Sequence, residues 1–417
     1  MQTNLAGWIR DTPQGREADA ILRKCVHCGF CLATCPTYTL LGDELDSPRG
    51  RIYLMKEMLE GAPVTSRTQL HLDRCLTCRA CETTCPSGVE YGRLVDIGRD
   101  LVEQKVPRGA GARLWRRLLR AVLPSRRLFG AILGMGRLFK PVLPSALARQ
   151  VPDRRPAGDW PAARHARRML VLGGCVQPAI APSINAATAR VLDRLGISLI
   201  EAPGAGCCGA VPFHLNAQQE SLGYVKAMID AWWPFVEAGA EAVIITATGC
   251  GTMVKEYGHL LRGDPDYAKK ADRISNLAKD ISEVITGERT RLAELLPPSA
   301  LPPSTARRVA FHSPCSMQHG LKLNNLVEPI LRDLGFTLTP VPDAHLCCGS
   351  AGTYSILQPE LSERLLANKV RALESGSPAE IATANIGCLV HIGSAAAPPI
   401  RHWIELVDEA TTSARTG

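Results

Sequence analysis

Sixteen cysteines are the residues of this chain best suited to chemistry, and they are not scattered. Eight precede residue 90, none falls between 86 and 174, and the other eight form two groups of four. The first eight use one spacing twice: Cys25-x-x-Cys28-x-x-Cys31-x-x-x-Cys35-Pro36 and Cys75-x-x-Cys78-x-x-Cys81-x-x-x-Cys85-Pro86. Three thiolates this close on a tight loop can reach three irons of one cube, while the fourth points away toward a neighbouring cube. The expected ligand sets are Cys25, Cys28, Cys31 and Cys85 for one [4Fe-4S] cluster, and Cys75, Cys78, Cys81 and Cys35 for a second. Gly29 suits a turn that a side chain would obstruct, and Pro36 and Pro86 redirect the chain after the last thiolate. His27 is expected to hydrogen-bond beside the first cluster rather than bind it. Zinc, the plainer use of Cys-x-x-Cys, calls for two pairs of ligands and not for three evenly spaced cysteines plus a fourth before proline. Between the two runs, Arg49 and Arg51 either face the negative charge of the clusters or a partner, or lie on a solvated turn.

The remaining cysteines sit in a repeat. One copy runs from Arg168 to about Tyr257 and the other from Arg307 to about Ile392. Each opens with an apolar run ending in cysteine, Met169 to Cys175 and Val309 to Cys315. A helical pattern closing on Leu-Gly follows, then a second strand and a Cys-Cys-Gly turn, Cys207-Cys208-Gly209 and Cys347-Cys348-Gly349. Both copies end with an apolar run into Gly-Cys, at Cys250 and Cys388. The first cysteine and the pair are 32 positions apart in both copies. Strand–helix–strand alternation of this kind predicts parallel sheets, with the cysteines gathered at one edge of each. Adjacent cysteines cannot easily put both sulfurs on one iron, so Cys175, Cys207, Cys208, Cys250, Cys315, Cys347, Cys348 and Cys388 form a further redox or metal site on two irons, or a labile one. A Gly-x-Gly-x-x-Gly match at Gly204–Gly209 has no counterpart in the second copy, so the repeat explains it better than a dinucleotide site does.

The expected organisation is α+β and multidomain: a helical ferredoxin-type module over 1–104, a basic connector over 105–167, and α/β cysteine-rich repeats over 168–296 and 305–410. The stretch Pro297–Ser304 reads as a Pro-rich linker. From 105 to 168, sixteen Lys or Arg face only Asp153 and Asp159, a local charge of +14 in a chain of +8, so the rest is acidic. Within 112–140, Leu114, Trp115, Leu118, Leu119, Val122 and Leu123 recur at helical spacing opposite Arg113, Arg116, Arg117 and Arg120. A second such stretch carries Leu128, Phe129, Ile132, Leu133 and Phe139 beside Arg126, Arg127, Arg137 and Lys140. Such helices lie on anionic membrane surfaces, or else pack on their own protein or a partner subunit. No recognition fold accompanies the charge, so nucleic acid is not expected as a partner. The start has no apolar signal segment and no run is long enough to span a bilayer, so cysteines at this density read as reduced and cytoplasmic.

The Cys-Cys-Gly pattern resembles the cysteine-rich domains shared by heterodisulfide reductase, the third subunit of anaerobic glycerol-3-phosphate dehydrogenase and glycolate oxidase. Those domains often end in Cys-x-x-Cys, whereas here Met253 and His391 stand at the fifth position, and His391 could serve as a nitrogen ligand. From "ILRKCVHCGFCLATCPTYTLLGDELDSPRGRIYLMK" to "LCCGSAGTY", "TANIGC" and "RHWIEL", the whole chain is similar to the iron–sulfur subunits of glycolate oxidase. That resemblance implies FAD-binding partner subunits that oxidise glycolate to glyoxylate, and D-lactate too. It implies that electrons leave flavin through this chain toward a quinone or another respiratory acceptor, on the cytoplasmic face of the inner membrane. No flavin or nicotinamide site is evident in the sequence, so no catalytic residue is expected here. The competing readings are a thiol–disulfide oxidoreductase acting at the Cys-Cys-Gly sites, the glycerol-3-phosphate dehydrogenase subunit, and a scaffold holding structural zinc.

Overall fold

The structure is a computed structural model that describes residues 1–144, 148, 151–296 and 307–413. The linker expected at Pro297–Ser304 lies outside the described residues. The N-terminal region is helical, and its helices start where short polar side chains cap them. Thr12 accepts from the Gly15 N–H ahead of Pro13–Lys24, and Ser47 accepts from the Gly50 N–H ahead of Pro48–Leu59. Proline stands first in both helices, where its missing N–H is no loss. With Ser66–Asp73 and Tyr91–Lys105 they bury Leu22, Met55, Leu59, Leu72, Leu94 and Val95 in one small core. The cysteine runs occupy the gaps in this frame. Cys25 follows the first helix, Cys35 precedes the helix Pro36–Leu41, and Cys81 lies on the five-residue helix Ala80–Thr84 that Cys85 ends.

Each repeat is a four-stranded parallel sheet. In the first, β1 (Arg167–Val171), β2 (Ile197–Glu201), β3 (Val243–Ile245) and β4 (Ala278–Asp280) take the order β2-β1-β3-β4. In the second, β5 (Arg308–His312), β6 (Thr337–Leu338), β7 (Glu380–Thr383) and β8 (Ile400–His402) take the order β6-β5-β7-β8. The expected architecture, a helical module followed by two parallel-sheet repeats, is the one observed. The strands are buried apolar runs, as parallel sheets covered on both faces require. Helices Ser183–Arg194 and Gln218–Glu237 supply the crossovers around β2, and Val327–Asp333 and Pro359–Glu374 do so around β6. One apolar core joins the repeats, packing Ile184, Leu192 and Ile281 with Leu331, Trp403 and Ile404. The buried His402 Nε2 adds a hydrogen bond across the repeats, 2.9 Å from the Thr246 carbonyl oxygen.

The connector forms two helices, Ala110–Val122 and Arg126–Phe139. Of the first, only Leu119 is buried; of the second, none is. The arginines turn inward instead, Arg116 to Asp73 (3.5 Å), Arg120 to Glu220 (3.1 Å) and Arg126 to Glu201 (2.6 Å). Leu114, Trp115, Leu118, Leu128, Ile132, Met135, Leu138 and Phe139 are left exposed. Phe129 and Leu133 are the inward contacts, packing against the core of the repeats. Among the described residues, no helix is long and apolar enough to cross a membrane.

The Cys-Cys-Gly turns depend on glycine for a stated reason. Gly209 and Gly349 have φ of 86° and 91°, in the left-handed region, and their carbonyls each accept from a helix serine, Ser221 and Ser362, at 2.9 Å. A Cβ on Gly349 would stand 2.6 Å from the Ser362 carbonyl oxygen. Gly349→Ala is therefore expected to lower stability by ~2–3 kcal/mol in urea unfolding. Gly335→Ala has a similar φ (85°) but open space around it, and is expected to lose only ~1 kcal/mol. Equal losses would mean that the close approach at Gly349 is unimportant.

Candidate metal centres

All sixteen cysteines are free thiols. Those of the first run are gathered by a loop in which His27 (φ 55°) and Gly29 (φ 83°) both take the left-handed region. The second run repeats the shape with Thr77 (φ 54°) and Arg79 (φ 61°). A side chain is therefore accommodated in this turn, contrary to the expectation at Gly29. Arg79 tolerates it with its guanidinium anchored on Glu256 at 3.1 Å.

Cys25, Cys28, Cys31 and Cys85 line one cavity, with Cys81 at its back. Cys28 is exposed and its neighbours Val26 and Phe30 are 66% and 64% exposed, so this cavity lies at the surface. His27 lines it as well. Burial pushes the Cys31 thiol up to about 11, and Cys25, Cys28 and Cys35 add to the shift. Burial raises the Cys81 thiol too, with Cys78, Cys75, Glu82 and Cys35 contributing. Cys35 therefore lies within electrostatic reach of both groups.

Donors and cations surround these sulfurs. Cys75 Sγ accepts from the Thr77 N–H at 3.4 Å and from the Tyr91 hydroxyl at 3.6 Å. Arg51 is 1% exposed, far from a solvated turn. It donates to the His71 carbonyl at 2.7 Å and pairs at 3.2 Å with Asp46, which is wholly buried. Although burial opposes its charge, Tyr91, Cys75, Cys35 and Asp46 together hold that guanidinium strongly protonated. Arg99 clamps the second loop, donating to the carbonyls of Leu72 and Cys75 and, at 2.8 Å, to the Thr77 hydroxyl. Buried cations near the clustered thiols, with the Thr77 N–H and the Tyr91 hydroxyl donating to Cys75, fit two iron–sulfur clusters, whose thiolates carry charge that this interior must balance.

Cys75 and Cys78 face the other way, into a cavity of about 450 Å³ shared with all eight repeat cysteines. The second repeat adjoins this loop: burial and then Cys315 raise the Cys78 thiol, and the Tyr354 hydroxyl donates to the Arg74 carbonyl at 3.1 Å. Within the repeats one pairing recurs. Cys315 and Cys347 Sγ are 3.6 Å apart, as Cys348 and Cys388 are at 3.5 Å. In the first copy Cys175 contacts Cys207, and Cys208 contacts Cys250. Neighbouring members of each Cys-Cys pair thus turn to different partners.

The two residues at the missing fifth positions behave differently from thiols. Met253 is buried in the apolar core of the first repeat. His391 reaches the shared cavity, but its Nε2 lies 3.1 Å from Ser362 Oγ. Among the described residues, His312 is grouped with two of the repeat sulfurs. One of its ring nitrogens, Cys348 Sγ and Cys388 Sγ lie within 4.8 Å of one another. Its signal in the sequence was the comparison of copies: His312 stands three residues before Cys315, where Leu172 stands before Cys175. Gly204–Gly209 opens a helix of only five residues, Ala210–His214, too short for a dinucleotide site.

Residues 21–89 match the 4Fe-4S dicluster domain family, and residues 169–255 and 309–393 each match the cysteine-rich domain family. The chain is 55% identical over 411 residues to the glycolate oxidase iron-sulfur subunit of Escherichia coli (strain K12), covering 98% of this chain and 99% of that one. It is 30% identical over 413 residues to the probable glycolate oxidase iron-sulfur subunit of Bacillus subtilis (strain 168), covering 92% and 91%. Lactate utilization protein A of Bacillus licheniformis is 27% identical over 220 residues, 52% of this chain and 87% of that one.

If the two cavities hold separate clusters, Cys85→Ser and Cys35→Ser are each expected to leave about four irons per chain in place of about eight. EPR of the reduced protein is expected to lose the spin coupling between clusters in both variants. Full iron with an unchanged coupled signal in either variant would remove that residue from the ligand set.

Proposed function

The chain belongs to the family of glycolate oxidase iron–sulfur subunits, and on that premise we propose that it carries electrons, one at a time, from reduced FAD on a partner subunit to a quinone or another respiratory acceptor. An iron–sulfur electron-transfer role within an oxidoreductase complex is what the family establishes. The finer reading is that glycolate becomes glyoxylate, and D-lactate pyruvate, on the flavin subunit, with no catalytic group on this chain. Bound [4Fe-4S] clusters supply one-electron carriers, which divide the two electrons of a reduced flavin into single steps.

One observation carries the proposal. The Cys25–Cys31 loop lies at the surface beside exposed Val26 and Phe30, whereas Cys75 and Cys78 line a cavity shared with the eight repeat cysteines. A route from an exposed entry toward the repeats has that shape. Val26 and Phe30 provide an apolar contact for a partner, while Arg51 and Arg99 balance thiolate charge and hold the turns. The eight repeat cysteines continue beyond Cys78 as an additional iron–sulfur or zinc site. A thiol–disulfide oxidoreductase is less well supported, since Met253 and His391 replace the fifth cysteines.

For localisation we propose peripheral attachment to the cytoplasmic face of the inner membrane through residues 112–140. The exposed apolar side chains of both connector helices are accompanied by Arg113, Arg117 and Arg127, which among the described residues have no acidic partner. Anionic lipid complements that charge, at roughly 1 kcal/mol per basic residue near the surface.

Cys25→Ser and Cys78→Ser complexes are expected to reduce their flavin with glycolate at the normal rate, yet pass electrons to quinone only at background. Normal quinone reduction in both variants would end the relay reading. Separately, Leu118→Asp combined with Leu138→Asp is expected to abolish co-sedimentation with vesicles containing anionic phospholipid while leaving iron content unchanged. Undiminished sedimentation would reject the membrane assignment, and loss of the flavin subunit in its place would identify that subunit as the occupant of the face.

A further inference from the structure

The two repeats match in topology and cysteine spacing but differ in what surrounds the sulfurs. His312 ends β5, and the residue in its place after β1 is Leu172; both are buried. Lys369 is also buried, lying seven residues beyond Ser362 on the Pro359–Glu374 helix. Seven residues beyond the matching Ser221 stands Met228. The second repeat thus has an imidazole and an ammonium where the first has a leucine and a methionine.

These polar groups are not placed alike. Lys369 Nζ is satisfied, donating to the Asp343 carbonyl at 2.9 Å, and its charge acts on the thiols of Cys348, Cys347 and Cys315. His312 Nε2 is buried with no hydrogen-bond partner. Leaving such a group unpartnered is unfavourable. The lysine is paired, and the histidine beside two thiols has a ring nitrogen open to a ligand.

We propose that the second repeat binds one thiophilic divalent metal ion of the zinc class through His312, Cys348 and Cys388, and that the first repeat lacks this centre. Zinc–thiolate bonds of about 2.3 Å in a tetrahedron put two sulfurs about 3.8 Å apart. Cys348 and Cys388 are 3.5 Å apart, a separation suited to one ion shared by both sulfurs. Nitrogen and sulfur together select zinc over magnesium or calcium, which take oxygen. Leu172 offers no donor at the matching place, so four thiols alone do not reproduce this centre in the first repeat.

Zinc has no redox chemistry, so the role that follows is to brace. The ion ties the end of β5 to the Cys-Cys-Gly turn and the helix Ile386–Gly393, and the turn and helix line the cavity that Cys78 also lines. This inference concerns metal binding alone and does not rest on the electron-transfer reading.

The test uses the full-length chain purified without oxygen, with zinc and iron measured by elemental analysis and the zinc shell read by X-ray absorption. The wild type is expected to hold about one zinc per chain, with a mixed nitrogen and sulfur shell. His312→Ala is expected to lower zinc occupancy by about tenfold or more, while the iron content and visible spectrum of the N-terminal clusters stay constant and report an intact fold. Should His312→Ala fail to fold, His312→Cys keeps the proposal open to refutation, since it is expected to retain the zinc in an all-sulfur shell. Leu172→Ala is expected to leave zinc unchanged. Zinc that survives His312→Ala, an all-sulfur shell in the wild type, or iron at these cysteines in place of zinc would each overturn the proposal.

Discussion

Thiols gathered in a dry interior repel one another once they ionise, and most of this molecule is arranged around that fact. Metal ions neutralise the charge directly, and the protein adds fixed cations where thiols are densest. Arg51 is buried against Asp46 within electrostatic reach of Cys35 and Cys75, and Arg99 grips the loop that carries Cys75. Lys369 does the same in the second repeat. Each cation is held by backbone carbonyls or a buried acid, so it cannot swing away to water. That restraint makes the charge available at a set place, at the expense of desolvation that the surrounding hydrogen bonds offset.

Secondary structure then serves as a frame for turns. No cysteine of the first run lies within a helix; they fall where capped helices stop and start. In the repeats the cysteines follow parallel strands or open the helices after them, at the sheet edge where α/β folds gather functional groups. Because both sheets share one apolar core and the helical module packs across the cysteine-rich side through Leu76, Cys347, Tyr354 and Leu361, the separate cysteine groups converge on one cavity. Duplication supplied two similar sites, and substitution at a few buried positions made them chemically unequal.

The connector reverses the usual sense of an amphipathic helix. Arg116, Arg120 and Arg126 are drawn inward because Asp73, Glu220 and Glu201 wait on the body of the protein, while Arg113, Arg117 and Arg127 stay exposed. Ion pairs at partly exposed sites contribute little each, so the arrangement persists only if the outward apolar face gains something as well. Exposed apolar residues dispersed singly are ordinary, but eight on two adjoining helices form a surface of a different kind.

Local chemistry was legible in the sequence. The Cys-x-x-Cys-x-x-Cys turns, the capped helices, the parallel strands and the Cys-Cys-Gly glycines follow from backbone preferences and from spacing over a few residues, and these act before the chain is folded. Their duplication was legible for the same reason. What the tertiary structure decided were the directions of side chains: that Arg51 is buried and not solvated, that the connector turns Arg116, Arg120 and Arg126 inward, and that Cys78 looks toward the second repeat. It also decided that His312 lies beside Cys348 and Cys388. Those outcomes depend on contacts between segments tens to hundreds of residues apart, and one chain's sequence shows which residues exist but not which ones packing will bring within a bond's reach of each other.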